Sequence, residues 1–161
     1  MQLFHGSSVI VKTPRIIPGK KGRDFGVGFY VTTDQKQAKQ WAYRKRDIER
    51  VNAGYISVYE FDYEKALKEM RIQFFEAAND SWLKFVSLNR KRVSTVTKYD
   101  ISIGPVADDN LMSVIRLYET GVYSFDETIV RLKTETLTDQ WVFHNQEALN
   151  RLSFVSFETV L

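Results

Sequence analysis

The sequence predicts an α+β fold with largely antiparallel pairing, in one domain spanning residues 1–161. Candidate elements run strand, strand, helix, strand, helices, strand, helices, strand, strand, which is not the regular alternation of a doubly wound parallel sheet. The 161 residues are 43% apolar and 14% aromatic, enough to build one sizeable core near the commonest domain size. With eight Gly, three Pro and no internal repeat, the chain is neither linker-rich nor low in complexity.

Each element has a local reason. Leu3 to His5 reads as a short strand ending at Gly6, and Ser7-Ser8 with Pro14 and Pro18 predicts a loop after it. Four of the eight glycines fall between Gly19 and Gly28, a loop that feeds directly into the strand Phe29-Tyr30-Val31-Thr32. Asp34 is placed to cap a helix over 35–52, in which Ala38, Trp41, Ala42, Ile48 and Val51 recur near helical spacing until Gly54 stops it. Tyr55 to Phe61 alternates as a strand. Residues 63–75 fit a short helix or irregular structure equally. Asp80-Ser81 is placed to cap a helix from Trp82 to Arg90. Tyr99 to Ile103 reads as a strand closed by a Gly104-Pro105 turn; Asp108-Asp109 starts a helix to Gly121, and Asp126 caps another through Leu132. Thr138 to Phe143 forms a strand, Asn145 to Leu152 one or two helical turns, and Ser153 to Val160 a last strand.

Composition removes whole classes of chemistry. There is no Cys, so disulfides, Cys-based zinc sites, iron–sulfur clusters and thiol nucleophiles are excluded. Only His5 and His144 supply imidazole, which argues against a His-rich metal centre. No apolar run approaches the roughly 18 residues of a membrane span, and Met1 to His5 lacks a signal-peptide pattern, so a cytoplasmic location is expected. The net charge of +3 is weak evidence for nucleic acid. Lys20-Lys21-Gly22-Arg23, Arg44-Lys45-Arg46 and Arg90-Lys91-Arg92 are local basic clusters, for which solvated surface is the simplest account.

Common catalytic signatures fail: no phosphate-binding loop, nucleophile elbow, zinc helix or dinucleotide fingerprint is present. Gly26-x-Gly28 precedes a strand instead of opening a helix. Another pattern remains. His5-Gly6-Ser7 stands at a strand end, Phe25-Gly26-Val27-Gly28-Phe29-Tyr30 enters a strand, and Trp41 follows Tyr30 by eleven residues on a helix. This order resembles the nicotinamide pocket of the ADP-ribosyltransferase superfamily, in its diphtheria-toxin and poly(ADP-ribose)-polymerase branch. Together with Gly104-Pro105-Val106-Ala107-Asp108-Asp109 and Gln140-Trp141-x-Phe143-His144, the ensemble is also similar to a bacterial domain family of unknown function allied to that superfamily. That likeness spans residues 2 to about 154.

The resemblance implies a split pair of mostly antiparallel sheets flanked by helices, and NAD as co-substrate. It places His5, Gly6, Ser7, Gly28, Tyr30 and Trp41 in cofactor binding, with Tyr30 and Gln140 in the catalytic set and no metal. Under it, His5 holds a ribose and Gly6 approaches the carboxamide without a Cβ in the way. Tyr30 and Trp41 flank the nicotinamide, whose charge adds a cation–π contribution. Gln140 occupies the register of the superfamily's catalytic Glu in Asp139-Gln140-Trp141-Val142-Phe143, an amide where a charge is expected. Asp139 and Glu147 are the nearby acids, ranked below Gln140. The resemblance further implies transfer to a macromolecular acceptor, protein or nucleic acid, and an antitoxin partner. The loop from Gly19 to Asp24 is a candidate lid or acceptor-recognition element.

Plainer accounts stand beside these. A lone His near a strand end is more often a structural hydrogen-bonder, and Tyr30 and Trp41 have the spacing of core aromatics packing strand on helix. Asp109 fits a cap, and His144 a polar group at a strand end. Two other functions share the scaffold: an NAD-sensing or partner-binding module without turnover, and an RNA-directed toxin motivated by the basic clusters.

Overall fold

The computed structural model describes residues 1–18, 23–91, 97–107, 109–133 and 137–161. Among these residues seven strands form two sheets. In the first, β1 (Gln2–Ser7), β3 (Gly54–Glu60) and β7 (Ser153–Val160) lie in the order β1-β3-β7, antiparallel throughout. In the second, β2 (Phe29–Val31), β6 (Asp139–Phe143), β5 (Ile101–Pro105) and β4 (Ile72–Phe74) lie in the order β2-β6-β5-β4, antiparallel except for the parallel β4·β5 pair. Phe4 and Thr32 exchange two backbone hydrogen bonds, of 2.8 and 3.0 Å, and join the sheets. The α+β class with two mostly antiparallel sheets is as the sequence predicts. Among the described residues the flanking helices are α1 (Gln35–Glu49), α2 (Tyr63–Glu69), α3 (Asp80–Arg90), α4 (Asp109–Glu119), α5 (Phe125–Leu132) and α6 (Gln146–Leu149), and none of these is long and apolar enough to cross a membrane.

Strand alternation sorts the core. Along β6, Trp141 and Phe143 turn to one side with Leu3, Phe29, Tyr59, Phe61, Ile101 and Ile103. Val142 turns to the other, against Phe25, Trp82, Leu83, Val86, Leu111 and Ile115 beneath α3, α4 and α5. Gln140, two residues from Val142, shares its face, and so does Tyr30, which pairs with Val142 across β2·β6.

Helix ends depart from the sequence reading for one physical reason: a cap must sit in extended backbone just outside the helix. Asp34 does so, accepting from the backbone N–H of Lys36 (2.8 Å) and Gln37 (3.4 Å), as expected. Asn79, not Asp80-Ser81, caps α3 by accepting from Trp82 N–H (3.0 Å). Ser124, not Asp126, caps α5 through Glu127 N–H (3.2 Å). Asp80 and Asp126 instead lie in the first turns, where they favour the helix dipole. Helix α1 ends at Glu49, before Gly54, through Arg50 in the left-handed region (φ 55°).

Three further corrections concern the strands and α1. Residues 63–75 hold both a helix, α2, and the edge strand β4. Gly104-Pro105 is the end of β5, not a turn, paired with Gln140 and Asp139. Pro105 is tolerated there because β4 stops pairing at Ile103. Along α1 only Ala38 and Ala42 are buried, while Trp41 and Ile48 are 43 and 74% exposed and Val51, beyond the helix end, is 42% exposed.

Ala38 and Ala42 let α1 lie directly on the first sheet. A Cβ on Gly6 would stand 1.9 Å from the Ala38 carbonyl oxygen, and one on Gly54 would stand 2.5 Å from that of Ala42. Both obstacles are backbone, so neither can swing away. Gly6→Ala is expected to lower the stability of the protein by about 3 kcal/mol, the upper part of the usual overpacking range, read as a fall in the denaturant midpoint.

Candidate functional site

A cavity of about 400 Å³ opens where β1, β2, α1 and β6 meet, within the usual range of roughly 300–1,000 Å³ for small-molecule sites. His5 and Gly6 come from β1, Tyr30 from β2, Trp41 and Arg44 from α1, and Gln140 from β6, while Arg23 and Asp24 reach it from the loop before β2. Sequence positions far apart are thus gathered on one wall.

His5 is held from two sides. Its ring stacks on Phe29 with centroids 4.4 Å apart, and Nδ1 lies 2.7 Å from the Tyr30 carbonyl oxygen. A carbonyl only accepts, so Nδ1 carries the proton and Nε2 keeps a lone pair. Burial pushes the imidazole down to about 4, outweighing the Tyr30 carbonyl, with Arg23 and Lys45 adding to the shift. At neutral pH the ring is therefore a neutral acceptor with a fixed tautomer.

Tyr30 is fixed by its hydroxyl, which donates to the Gly26 carbonyl oxygen (2.6 Å) and accepts from Phe25 N–H (3.3 Å). Burial pushes this phenol well above its ordinary value. Tyr30 and Trp41 each also carry a guanidinium, Arg23 5.0 Å from the Tyr30 centroid and Arg44 5.4 Å from that of Trp41. Arg23, Arg44 and Lys45 make the cavity wall predominantly cationic.

Gln140 is buried, and its Nε2 donates to the Pro105 carbonyl oxygen (3.2 Å). The same oxygen accepts from Trp82 Nε1 (3.0 Å). The amide is therefore oriented by the last residue of β5.

The other residues singled out from sequence take different places. Ser7 is not among the cavity's lining residues, and its Oγ accepts from Val9 N–H at 3.4 Å. Gly28 also lies off the cavity, where a Cβ would meet Val142 Cγ1 at 2.5 Å. Gly6 lines the cavity, but its missing Cβ already has a structural reason in α1. Asp139 is a clamp: its carboxylate accepts from Thr32 Oγ1 (2.8 Å), Thr33 N–H (3.0 Å), Thr33 Oγ1 (2.9 Å) and Trp141 Nε1 (2.6 Å). Glu147 is exposed on α6. Neither acid lines the cavity. His144 ties the glycine-rich loop to the sheet, Nδ1 donating to the Val27 carbonyl oxygen and Nε2 accepting from Ser102 Oγ, both at 2.8 Å. Of the candidate lid, Gly19 to Gly22 lie outside the described residues. Arg92 and Asp108 do so as well, as does the side chain of Asp109.

Residues 1–154 match the family model described as protein of unknown function (DUF3990). The chain belongs to the DUF3990 family. No curated protein matches it. In this DUF3990 chain, Asp24 falls in the loop singled out from sequence as a candidate lid or acceptor-recognition element, but the partner that holds it, Arg90, is remote in sequence. Met112, whose sulfur lies 2.8 Å from Arg90 Nη1, carried no sequence signal.

The two histidines of the DUF3990 chain set its acid response. Folding depresses both His5 and His144 below their ordinary value of 6.5, chiefly by burial, so the unfolded chain binds more protons in that range. The His5 contribution is complete above about pH 6.5, declines as pH falls, and is exhausted near the folded value of about 4. Urea denaturation across this window is expected to show stability falling with pH, with a shallower slope in His5→Gln and the His144 share remaining.

Proposed function

We propose that the protein is an NAD-dependent ADP-ribosyltransferase that breaks the nicotinamide–ribose bond and passes ADP-ribose to a macromolecular acceptor, acting as the toxin of a toxin–antitoxin pair. One observation carries the chemical part of this reading: His5, Gly6, Tyr30, Trp41 and Gln140, chosen for their order in sequence, line a single cavity. The toxin assignment rests on the sequence resemblance.

The lining suits the ligand. Arg23, Arg44 and Lys45 match a pyrophosphate, and the exposed half of Trp41 and the ring of Tyr30 offer flat apolar surface to a heteroaromatic ring. NAD brings the scissile N-glycosidic bond and a good leaving group. His5 Nε2 accepts from a ribose hydroxyl, which its fixed tautomer requires of a partner. Gln140, oriented by Pro105, holds a second hydroxyl beside the reacting carbon. The buried Val31 and Ala38, with the half-buried Val106, form an apolar part of the wall that limits the water competing with the acceptor.

A second reading has an observation of its own. Gln140 carries no charge, so the same cavity fits a module that binds a nucleotide without turning it over.

Incubating the protein and a cell lysate with NAD labelled in its adenine separates the readings. Transfer is expected to leave label on macromolecules and release nicotinamide, and His5→Ala is expected to abolish both while the circular dichroism spectrum is unchanged. Trp41→Ala is expected to weaken NAD binding by roughly threefold to tenfold, the value of one lost ring contact, measured by calorimetry. Tight binding with no nicotinamide released selects the binding module. RNA cleavage without NAD overturns both.

A further inference from the structure

We infer that Asp24 is the catalytic carboxylate of the cavity, supplying the negative charge that Gln140 does not. The inference rests on the NAD-cleaving reading above and assigns a residue which that reading leaves open.

Three observations place the charge. Among the described residues that line the cavity, Asp24 is the one carboxylate, facing the same space as Tyr30 and Gln140. Its backbone is pinned on every side. Gly26 N–H donates to the Arg23 carbonyl oxygen (3.1 Å), closing a turn that needs the positive φ of Gly26 (80°). Tyr30 holds the next two residues through its hydroxyl, and Asn89 Nδ2 donates to the Asp24 carbonyl oxygen (3.2 Å). A carboxylate on so constrained a turn is preorganised.

The third observation is the charge count behind it. Arg90 lies 3.8 Å from Asp24 and 3.5 Å from Glu119, and the three side chains are only 14, 17 and 19% exposed. Among the described residues, Arg90 is the one guanidinium paired with these two carboxylates, so the three side chains together carry one net negative charge in a poorly solvated place. That arrangement costs free energy unless a cationic group enters beside it. Burial, with Glu119 adding to it and Arg90 opposing, raises the Asp24 carboxyl above its ordinary value, as expected of a charge awaiting a partner.

The reaction provides that partner. As the bond between ribose C1′ and the nicotinamide nitrogen breaks, its electron pair leaves with nicotinamide, the pyridine ring becomes neutral, and the positive charge passes to the ribose. Water then bonds to C1′ through its oxygen and loses one proton to solvent, giving ADP-ribose. Asp24 opposes the ribosyl charge without itself gaining or losing a proton.

Full-length protein is assayed for nicotinamide release from NAD with water as acceptor. Asp24→Asn is expected to lower kcat by about a hundredfold or more. Binding of ADP-ribose, which lacks the cationic ring, and the thermal midpoint do not fall below wild type. Asp24→Glu is expected to recover part of the rate. If Asp24→Asn does not fold, Asp24→Ser carries the same expectation. Wild-type turnover that either charge-removing variant retains within about threefold overturns the assignment of Asp24 while leaving the functional reading intact. A wild-type protein that neither binds nor consumes NAD overturns the functional reading, and this inference with it.

Discussion

The contact on which the site depends is that of α1 with the first sheet. Helix and strand meet through backbone, Gly6 under Ala38 and Gly54 under Ala42, with no large side chain between them. A contact of this kind has almost no freedom to slide, because its closest atoms are main chain. Trp41 is followed at helical spacing by Arg44 and Lys45, so all three point from one side of a helix whose position is fixed. The helix start is equally constrained. Asp34 caps it, and the Asp139 clamp holds Thr32 and Thr33 just before it. The segment from β2 into α1 therefore joins both sheets, and the cavity lies along that joint.

Much of this was legible in the sequence where the cause is local. Asp34 announces α1 because a cap acts over three residues, and β1, β3 and β7 are each bounded by local signals, with β3 read from its alternation. Strand β4 was not legible: Ile72-Gln73-Phe74 is too short to show a period, and its partner β5 is parallel and distant. Gly104-Pro105 looks like a turn in isolation and becomes a strand end only because β4 stops one residue short of it. In the candidate site, His5, Gly6, Tyr30, Trp41 and Gln140 were chosen by motif and occupy one cavity, whereas Ser7 and Gly28 come from the same motifs and do not line it. Gly28 shows why. The motif needs a small residue there, but the close neighbour is Val142 of the next strand, a packing demand that sequence cannot distinguish from a ligand's.

Asp139 teaches the converse. An acid beside Gln140 invites a chemical role, yet four donors converge on its carboxylate and bind it into the frame. A carboxylate so fully satisfied has little left for a substrate. Its sequence neighbour Gln140 points to the opposite face of β6, as pleating requires. The clamp and the cavity residue are thus set by one alternation, with the charge on the structural side and the neutral amide on the open side.

The consequence is electrostatic. Arg23, Arg44 and Lys45 make the cavity cationic, and the same field helps keep His5 neutral by opposing its protonation. A wholly cationic cavity would favour anions indiscriminately. Asp24, with Glu119 behind the shared Arg90, breaks that uniformity by placing negative charge beside Tyr30. A cavity lined by these cations and by one constrained carboxylate is matched best by a ligand that carries charge of both signs. A plain anion gains from the arginines but is repelled by Asp24, and a plain cation meets the reverse. A molecule that presents both charges satisfies more of the wall than either.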